Sequence, residues 1–253
     1  MLVSVIMPCF NSSGFISKAI ESVIAQTYPY WELIVVDNGS QDETVQIVNG
    51  YCEKDKRVNI HHEREKGSAS ARNKGIANAS GRYLAFLDSD DIWDSEKLEL
   101  TISFMVIEKA RLACTGYIPF YSDSARKFGK RIPRKVIDKR DLLKTCDIGC
   151  STVVIDVSFF ESNGDIPRFP NVGKEDYAYW FDLIDIYNQP FRGFPGILTQ
   201  YRVHSSGVSS NKTKEIILQY NVYRHHLRMN FFESCLFLMS YIVYGIRKTY
   251  LND

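Results

Sequence analysis

Tyr83-Leu84-Ala85-Phe86-Leu87-Asp88-Ser89-Asp90-Asp91 runs from five mostly apolar residues straight into three carboxylates. The apolar run reads as a buried strand that stops where the carboxylates begin. Unpaired carboxylates are costly to bury, so such a cluster faces a cation or solvent. Alternation along an extended chain sends Asp88 and Asp90 to the same side. Two hard oxygen donors on one side suit Mg²⁺ or Mn²⁺, ions that complete their shells with water and substrate phosphates. The alternative is a polar loop in which Asp91 or Ser95 caps the next helix.

Outward from this strand, the first hundred residues alternate between two patterns. Val3–Cys9, Glu32–Asp37 and Val58–His61 are further strand candidates, rich in β-branched residues. Between them, Phe15–Ala25, Asp42–Cys52 and Ser68–Ala79 carry helical spacing, and a fourth helix runs from Ser95 to about Lys109. Continuous apolar strands alternating with amphipathic helices predict an α/β fold with a mainly parallel sheet flanked by helices. Ligands of such sheets bind beyond the carboxyl ends of the strands. Phe10-Asn11, Asp37-Asn38-Gly39-Ser40 and Asp88–Asp91 are therefore expected on one edge.

The rest of the chain is less regular. A strand at Leu112–Tyr121, a basic and mobile excursion at Arg126–Arg140, and a short helix near Arg140–Thr145 are expected. Ser151–Ile155 reads as a strand, Glu175–Ile186 as a helix and Phe191–Val203 as one or two short strands. Two helices follow near Lys214–Met229 and Phe231–Tyr250.

The chain has 253 residues and a formal net charge of +1, so nothing global points to nucleic acid. Its six cysteines are scattered; no zinc pattern completes, and reduced thiols in the cytosol are expected. Leu2–Met7 lacks a basic leader and a small-residue cleavage site, and reads as a first strand rather than a signal peptide.

A nucleotide needs a hydrogen-bonding edge for base and ribose, positive charge for its phosphates, and usually a metal. Asp37 at a strand tip suits the first; the plain alternative is a turn former before Asn38-Gly39. Lys66 and Arg72, flanking the start of the third helix, suit the second. No Gly-x-Gly-x-x-Gly or Gly-Lys-Ser/Thr loop occurs, which argues against a dinucleotide dehydrogenase and a P-loop NTPase.

Four ordered motifs, Val3-Ser4-Val5-Ile6-Met7-Pro8-Cys9-Phe10-Asn11, Val35-Val36-Asp37-Asn38-Gly39-Ser40, Ala71-Arg72-Asn73-x-Gly75 and Leu87-Asp88-Ser89-Asp90-Asp91-x-Trp93, resemble family 2 inverting glycosyltransferases of the GT-A fold. The resemblance is strong over residues 1–115 and weaker to about 210. It implies a GT-A (Rossmann-like) domain with a nucleotide-sugar-binding half at 1–115 and an acceptor-binding half at 116–210; the helices expected at 211–253 read as a C-terminal appendage for a membrane-interface or oligomer contact. It implies a UDP-linked hexose or N-acetylhexosamine donor and Mn²⁺ or Mg²⁺. Pro8, Phe10 and Asn11 would frame the base, with Asp37 on uracil and Asp88 and Ser89 on ribose or sugar. Asp90 would hold the metal, and Lys66, Arg72 and Arg202 would face phosphate.

Single-displacement transfer needs a carboxylate to take the acceptor hydroxyl proton. Gly173-Lys174-Glu175-Asp176-Tyr177-Ala178-Tyr179-Trp180 resembles the family's acceptor-site helix, with Asp176 as base and Glu175 as acceptor ligand or alternative base. The alternative for this pair is an acidic helix start complementing the dipole. Trp180, one turn on, either stacks on an acceptor sugar or packs in the core. Gln200-Tyr201-Arg202-Val203-His204 resembles the non-processive members; His204 would complete the metal shell or touch the diphosphate, or be structural. The Gln-x-x-Arg-Trp motif of processive synthases is absent, which favours one sugar per acceptor.

The segment Phe231–Ile246 is very apolar yet shorter than the ~20 residues that cross a bilayer, and is bordered by Arg224, His225, His226 and Arg228 before it and Arg247-Lys248 after it. It suits an anionic membrane interface or a helix docked on the domain. An interfacial site fits a polyprenyl-diphosphate-linked saccharide acceptor in bacterial surface-polysaccharide (O-antigen or capsule) assembly, at the inner face of the cell membrane. Two rival readings are a sugar-1-phosphate nucleotidyltransferase and a silent sugar-nucleotide-binding protein. The first loop, Cys9–Gly14, lacks the former's basic Gly-rich character, and the latter has no need of the Asp-x-Asp and Glu-Asp pairs.

Overall fold

The computed structural model describes residues 1–121, 129–146, 148–203 and 212–250. One sheet gathers β1 (Val3–Cys9), β2 (Trp31–Asp37), β3 (Val58–His62), β4 (Tyr83–Phe86), β5 (Ile92–Trp93), β6 (Leu112–Phe120), β7 (Val136–Ile137), β8 (Val153–Asp156) and β9 (Phe191–Arg202). The strand order is β3-β2-β1-β4-β8-β6-β9-β5, with β7 also on β9. The longer pairings, β3-β2, β2-β1, β1-β4 and β6-β9, are parallel. The antiparallel ones extend over two or three residue pairs each. The sheet is therefore mixed and mainly parallel, as expected, and strands from before and after residue 115 share it.

The strands are buried because each face is covered. Val3, Val5 and Met7 of β1 pack with Ile16, Ile20 and Val23 of α1 (Ile16–Ile24) and with Leu98, Ile102 and Met105 of α4 (Lys97–Ile107). Ile6, Leu84 and Phe86 point the other way, onto Ile76 of α3 (Ser68–Ala77) and the aromatic face of α6 (Glu175–Tyr187). Burial of these β-branched and aromatic side chains supplies the driving force, at roughly 25 cal/mol per Å² of apolar surface. The close approach of α3 to β1 depends on Gly75, where an added Cβ would fall 2.5 Å from Ile6 Cγ2. This fixes the distance from α3 to the carboxyl edge, where α3 begins after Gly67, a residue with φ of 123°.

α2 (Thr44–Lys54) packs on β3 and α1, and α5 (Lys139–Lys144) begins in a capping box made by Asp138 and Asp141. α7 (Lys212–Asn221) continues into a wider turn at Val222–His226, and α8 is Phe231–Tyr250. α8 starts in a reciprocal pair, Glu233 N to Asn230 Oδ1 at 2.9 Å and Asn230 N to Glu233 Oε2 at 3.1 Å. Its inner face carries buried Ser234, with Phe237 and Leu238 against the core. That face realises the docked reading of the tail.

Three expectations change. The described part of the Arg126–Arg140 segment is not an excursion: Arg131 bridges Tyr117, and β7 pairs with β9. Its backbone groups find partners on a sheet edge that sequence alone did not mark as open. Phe191–Arg202 is one long strand, because β6 on one side and β5 and β7 on the other give it partners along its length. Helix α4 starts at Lys97 after an N-cap, Glu96, with no side-chain cap bond, so neither Asp91 nor Ser95 caps it.

Candidate active site

The three strand-tip groups do meet on one edge. Asn11, in the left-handed region with φ of 49°, donates its N–H to Ser40 Oγ at 3.0 Å and accepts from Gln41 N at 2.8 Å. Ser12 and Ser89 hydroxyls lie 2.8 Å apart. Between these tips is a cavity of about 460 Å³. Pro8 of β1 lines it with Phe10 and Asn11 just beyond that strand, Arg72 from α3, and Asp88, Ser89 and Asp90 from the loop after β4. Phe10 offers an exposed ring, at 58 %. A flat exposed ring at the mouth of a polar cavity is suited to stacking on a nucleobase.

Asp37 is placed differently. Its side chain is buried behind the edge, accepting from Gly39 N at 3.2 Å, Ser40 N at 3.1 Å and His62 Nδ1 at 3.3 Å. Burial alone would raise its pKa, but the hydrogen bonds from Ser40, His62 and Gly39 outweigh it and leave the carboxylate below its ordinary value. It lies outside the cavity lining and shapes the turn, whose Asn38 reaches across to the next loop. Asn38 Nδ2 donates to Glu65 O at 2.7 Å, and Asn38 Oδ1 accepts from Gly67 N at 2.7 Å. That loop carries Lys66, which is exposed.

Arg72 is the centre of the arrangement. It is buried to 5 % exposure; Nη2 donates to Asp88 Oδ1 at 2.7 Å and Nη1 to Glu175 Oε1 at 2.9 Å. Burial opposes its charge, yet its surroundings hold its pKa well above the usual value. The carboxylates are the charged groups there, since burial pushes the neighbouring Cys150 thiol up and keeps it neutral. Ser68, at the first position of α3, also donates its hydroxyl to Glu175 Oε1. The strand-tip carboxylates are thereby joined to the start of α6.

Asp176 follows Glu175 in the first turn of α6 and accepts from Tyr177 N at 2.7 Å. Burial and the adjacent Glu175 push its pKa up to about 6, while Arg72 and the Tyr177 N–H pull against them. A carboxyl poised near 6 is ionised at neutral pH and still basic enough to accept a proton, as a general base requires.

Asp91 has a separate task. Asp91 is 1 % exposed, accepts from Ser151 Oγ at 2.5 Å and from Arg202 N at 2.8 Å. Burial, then Asp88 and Asp90, push its pKa well above the carboxylate range. Arg202 Nε donates to Asp90 O at 2.8 Å, with its guanidinium over the rings of Phe15 and Phe120. Arg202 therefore props the Asp90 loop from behind. Asp90 faces the cavity with Asp88 beside it. Among the described residues no three His, Cys, Asp or Glu side chains gather as a preformed metal site. Two carboxylates facing an open polar cavity fit a hard divalent ion that takes its remaining ligands from a diphosphate. His204 lies outside the described residues.

Trp180 corrects one expectation. It is 0 % exposed, with ring contacts to Phe86, Phe169 and Phe191, so it packs in the core and presents no face to a sugar. Sequence reading missed Ser151 and Ser68 as site residues, and it placed Asn38 on the edge without its bridge to the Glu65–Gly67 loop. Ser151 is a hub: its Oγ also accepts from Asp88 N at 3.1 Å, and its carbonyl accepts from Trp93 Nε1 at 2.7 Å. A serine within an apolar strand start carries no signal of its own; its role arises from β8 lying beside β4.

Residues 4–164 match the profile of a family described as "Glycosyl transferase family 2". The chain is 39 % identical over 248 residues, 98 % of this chain and 94 % of the other, to UDP-Glc:alpha-D-GlcNAc-diphosphoundecaprenol beta-1,3-glucosyltransferase WfgD of Escherichia coli. Among solved structures, S. aureus TarS 1-349 in complex with UDP-GlcNAc superposes with a TM-score of 0.68 at 18 % identity, covering 96 % of this chain and 72 % of that one. The mannosyltransferase PcManGT of Pyrobaculum calidifontis, in complex with GDP-Man and Mn²⁺, gives 0.67 at 18 %, covering 94 % and 68 %. At that identity the two structures speak to the shared fold.

Proposed function

Because the chain belongs to glycosyl transferase family 2 and is a glycosyltransferase, we propose that it moves one hexose, with inversion, from a UDP-sugar to a hydroxyl of a polyprenyl-diphosphate-linked saccharide at the inner face of the cell membrane. The similarity to an enzyme named for UDP-Glc and an undecaprenol-linked acceptor supports glucose as the first donor to try. One observation carries the reading: Arg72 joins Asp88 on the donor edge to Glu175 beside Asp176, so a donor carboxylate and a candidate base share one wall.

In this mechanism the nucleotide lies along the strand-tip edge, with its base against Phe10 and its diphosphate toward Asp88 and Asp90. Asp176 takes the proton of the acceptor hydroxyl. The hydroxyl oxygen forms the new bond to the anomeric carbon as the bond from that carbon to the diphosphate oxygen breaks. The electron pair leaves on the nucleoside diphosphate, and the configuration at carbon inverts. Asp90 and Asp88 would hold a Mn²⁺ or Mg²⁺ ion with the diphosphate, which neutralises charge on the leaving group; His204 is the further candidate ligand. Lys66 adds positive charge from its exposed loop. Arg72 compensates the carboxylates around it and pulls the pKa of Asp176 down against burial and Glu175. Glu175, accepting from both Ser68 and Arg72, fixes the start of α6 and hence the position of its neighbour.

The test is a turnover assay with UDP-glucose and UDP-N-acetylglucosamine, Mn²⁺, and synthetic lipid-diphosphate N-acetylglucosamine. Acceptor-dependent UDP release is expected, with the product's anomeric configuration, read by NMR, opposite to the donor's. A retained configuration would overturn the mechanism, and a requirement for a nucleoside triphosphate would overturn the reaction class.

A further inference from the structure

α8 is apolar on two opposite faces. Ser234, Phe237, Leu238 and Tyr241 look inward; Lys174, the residue just before Glu175, reaches Tyr241 OH at 3.1 Å and lies 4.9 Å from its ring centroid. On the opposite face Phe232, Leu236, Met239 and Val243 are 82, 65, 66 and 48 % exposed. At 100° per residue these four fall within an arc of about 60°. They form a ridge about 16 Å long at 1.5 Å per residue. No helix among the described residues is long and apolar enough to cross a membrane.

Charge decides the occupant. Exposed His225 and Arg228 precede the ridge, and the last turn of α8 carries Arg247 and Lys248. Glu233, at the near end, is held by the helix cap. If two copies packed along this ridge about a two-fold axis, parallel or antiparallel, basic ends would meet basic ends. An anionic lipid surface instead takes the apolar ridge into its acyl boundary and the basic ends at its headgroups.

We infer that the Phe232-Leu236-Met239-Val243 ridge is a membrane-docking face for anionic lipid, which lays α8 flat in the interface and holds the mouth of the acceptor site, through Lys174, beside the lipid surface. This deepens the lipid-linked acceptor reading and rests on it for its purpose, but not for its test. Lys174 is 11 % exposed at its side chain and also pairs with Glu215 Oε2 at 3.3 Å and Gln219 Oε1 at 2.9 Å, so α6, α7 and α8 are tied at one point. A surface that positions α8 therefore positions the start of the base-bearing helix.

The experiment is co-sedimentation of the full chain with vesicles of phosphatidylglycerol and phosphatidylethanolamine, or of phosphatidylcholine alone, containing no saccharide and with no donor present. The expected result is binding to the anionic vesicles that weakens with salt and is poorer on the neutral ones. The variant F232S/L236Q/M239Q/V243T should lose about tenfold or more of that partitioning. It should keep its melting temperature within a few degrees and its turnover on a water-soluble acceptor. Equal partitioning of variant and native chain would overturn the inference. So would a native dimer in light scattering without lipid that the variant converts to monomer, since a second copy would then be the occupant. A failure of the donor or acceptor assignment would leave the vesicle result unchanged.

Discussion

Arg72 and Glu175, 103 residues apart in the chain, meet at 2.9 Å through Nη1 and Oε1. The same guanidinium holds Asp88 at 2.7 Å, so one buried cation compensates two carboxylates from opposite halves of the chain. Removing it leaves both uncompensated, a change worth about 3 kcal/mol. Arg72→Ala should lower the melting temperature by several degrees and bring UDP-sugar turnover near zero. Arg72→Lys keeps the charge without the fork, and should restore stability more than activity. Equal turnover of native and Lys variants would show that the double bridge is dispensable.

Ser151→Ala removes the hydroxyl that Asp91 accepts from and that Asp88 N donates to. Asp91 has almost no exposure, so its loss of a partner costs about 1–3 kcal/mol. The larger effect is expected in the loop: the concentrations of donor and of Mn²⁺ needed for half-maximal turnover should rise by about tenfold, as Asp88 and Asp90 lose their fixed position. An Ala variant that is less stable but titrates donor and metal as the native chain does would reduce Ser151 to a packing role.

How much of this was legible in the sequence differs residue by residue. The period of Val3–Cys9 and Tyr83–Phe86 and the amphipathic spacing of Ile16–Ile24 identify a parallel layer, and the rule of strand carboxyl ends brings Asn11, Ser40 and Ser89 to one edge. Those are local signals with one physical outcome. Arg131 bridges Tyr117 of β6 and Val136–Ile137 pair with β9, and no local pattern encodes either partnership. Ser151 gains its importance from antiparallel β8 beside β4, again a tertiary fact. Trp180 lies one turn from Asp176, but the tight packing of Phe86, Phe169 and Phe191 claims its ring.

Trp180→Ala opens a cavity in that aromatic cluster and should cost about 3–5 kcal/mol. If its place is structural, the half-saturating acceptor concentration at low temperature should stay within about twofold of native, because the residue touches no ligand. A selective tenfold rise in that concentration, at unchanged melting temperature, would restore the stacking role.

Lys97 is fully buried, with Nζ 3.1 Å from Thr152 O, 3.4 Å from Thr115 Oγ1 and 5.0 Å from the Trp93 ring centroid. Burial pulls its pKa down to about 7. Between pH 7 and 10.5 the unfolded chain then binds more protons than the folded one at this site, so its contribution to stability rises with pH across that window. Lys97→Met should flatten that rise and be at least as stable near pH 6. Melting temperatures of both chains from pH 6 to 9 check this; parallel curves would contradict it.

Asp176, with a pKa raised to about 6, binds a proton in the folded state that the unfolded chain releases near 4. Its contribution to stability therefore falls as pH rises from about 4 to 6 and stays lost above. Asp176→Asn should gain about 1–2 kcal/mol at pH 8, discounted for the partial exposure of the site. In the native chain, kcat/KM should drop about tenfold per unit below pH 6. An unfolding series and a pH–rate profile read the two effects separately.

In the proposed mechanism everything turns on the Asp176 carboxylate taking the acceptor's proton. The direct measurement is acceptor-dependent UDP release by Asp176→Asn at pH 8, with saturating UDP-glucose, Mn²⁺ and lipid-diphosphate N-acetylglucosamine, beside its affinity for UDP. A rate about 10²–10⁴ below native is expected, with UDP affinity within about threefold; a rate within a few-fold of native would contradict the role of Asp176 as base.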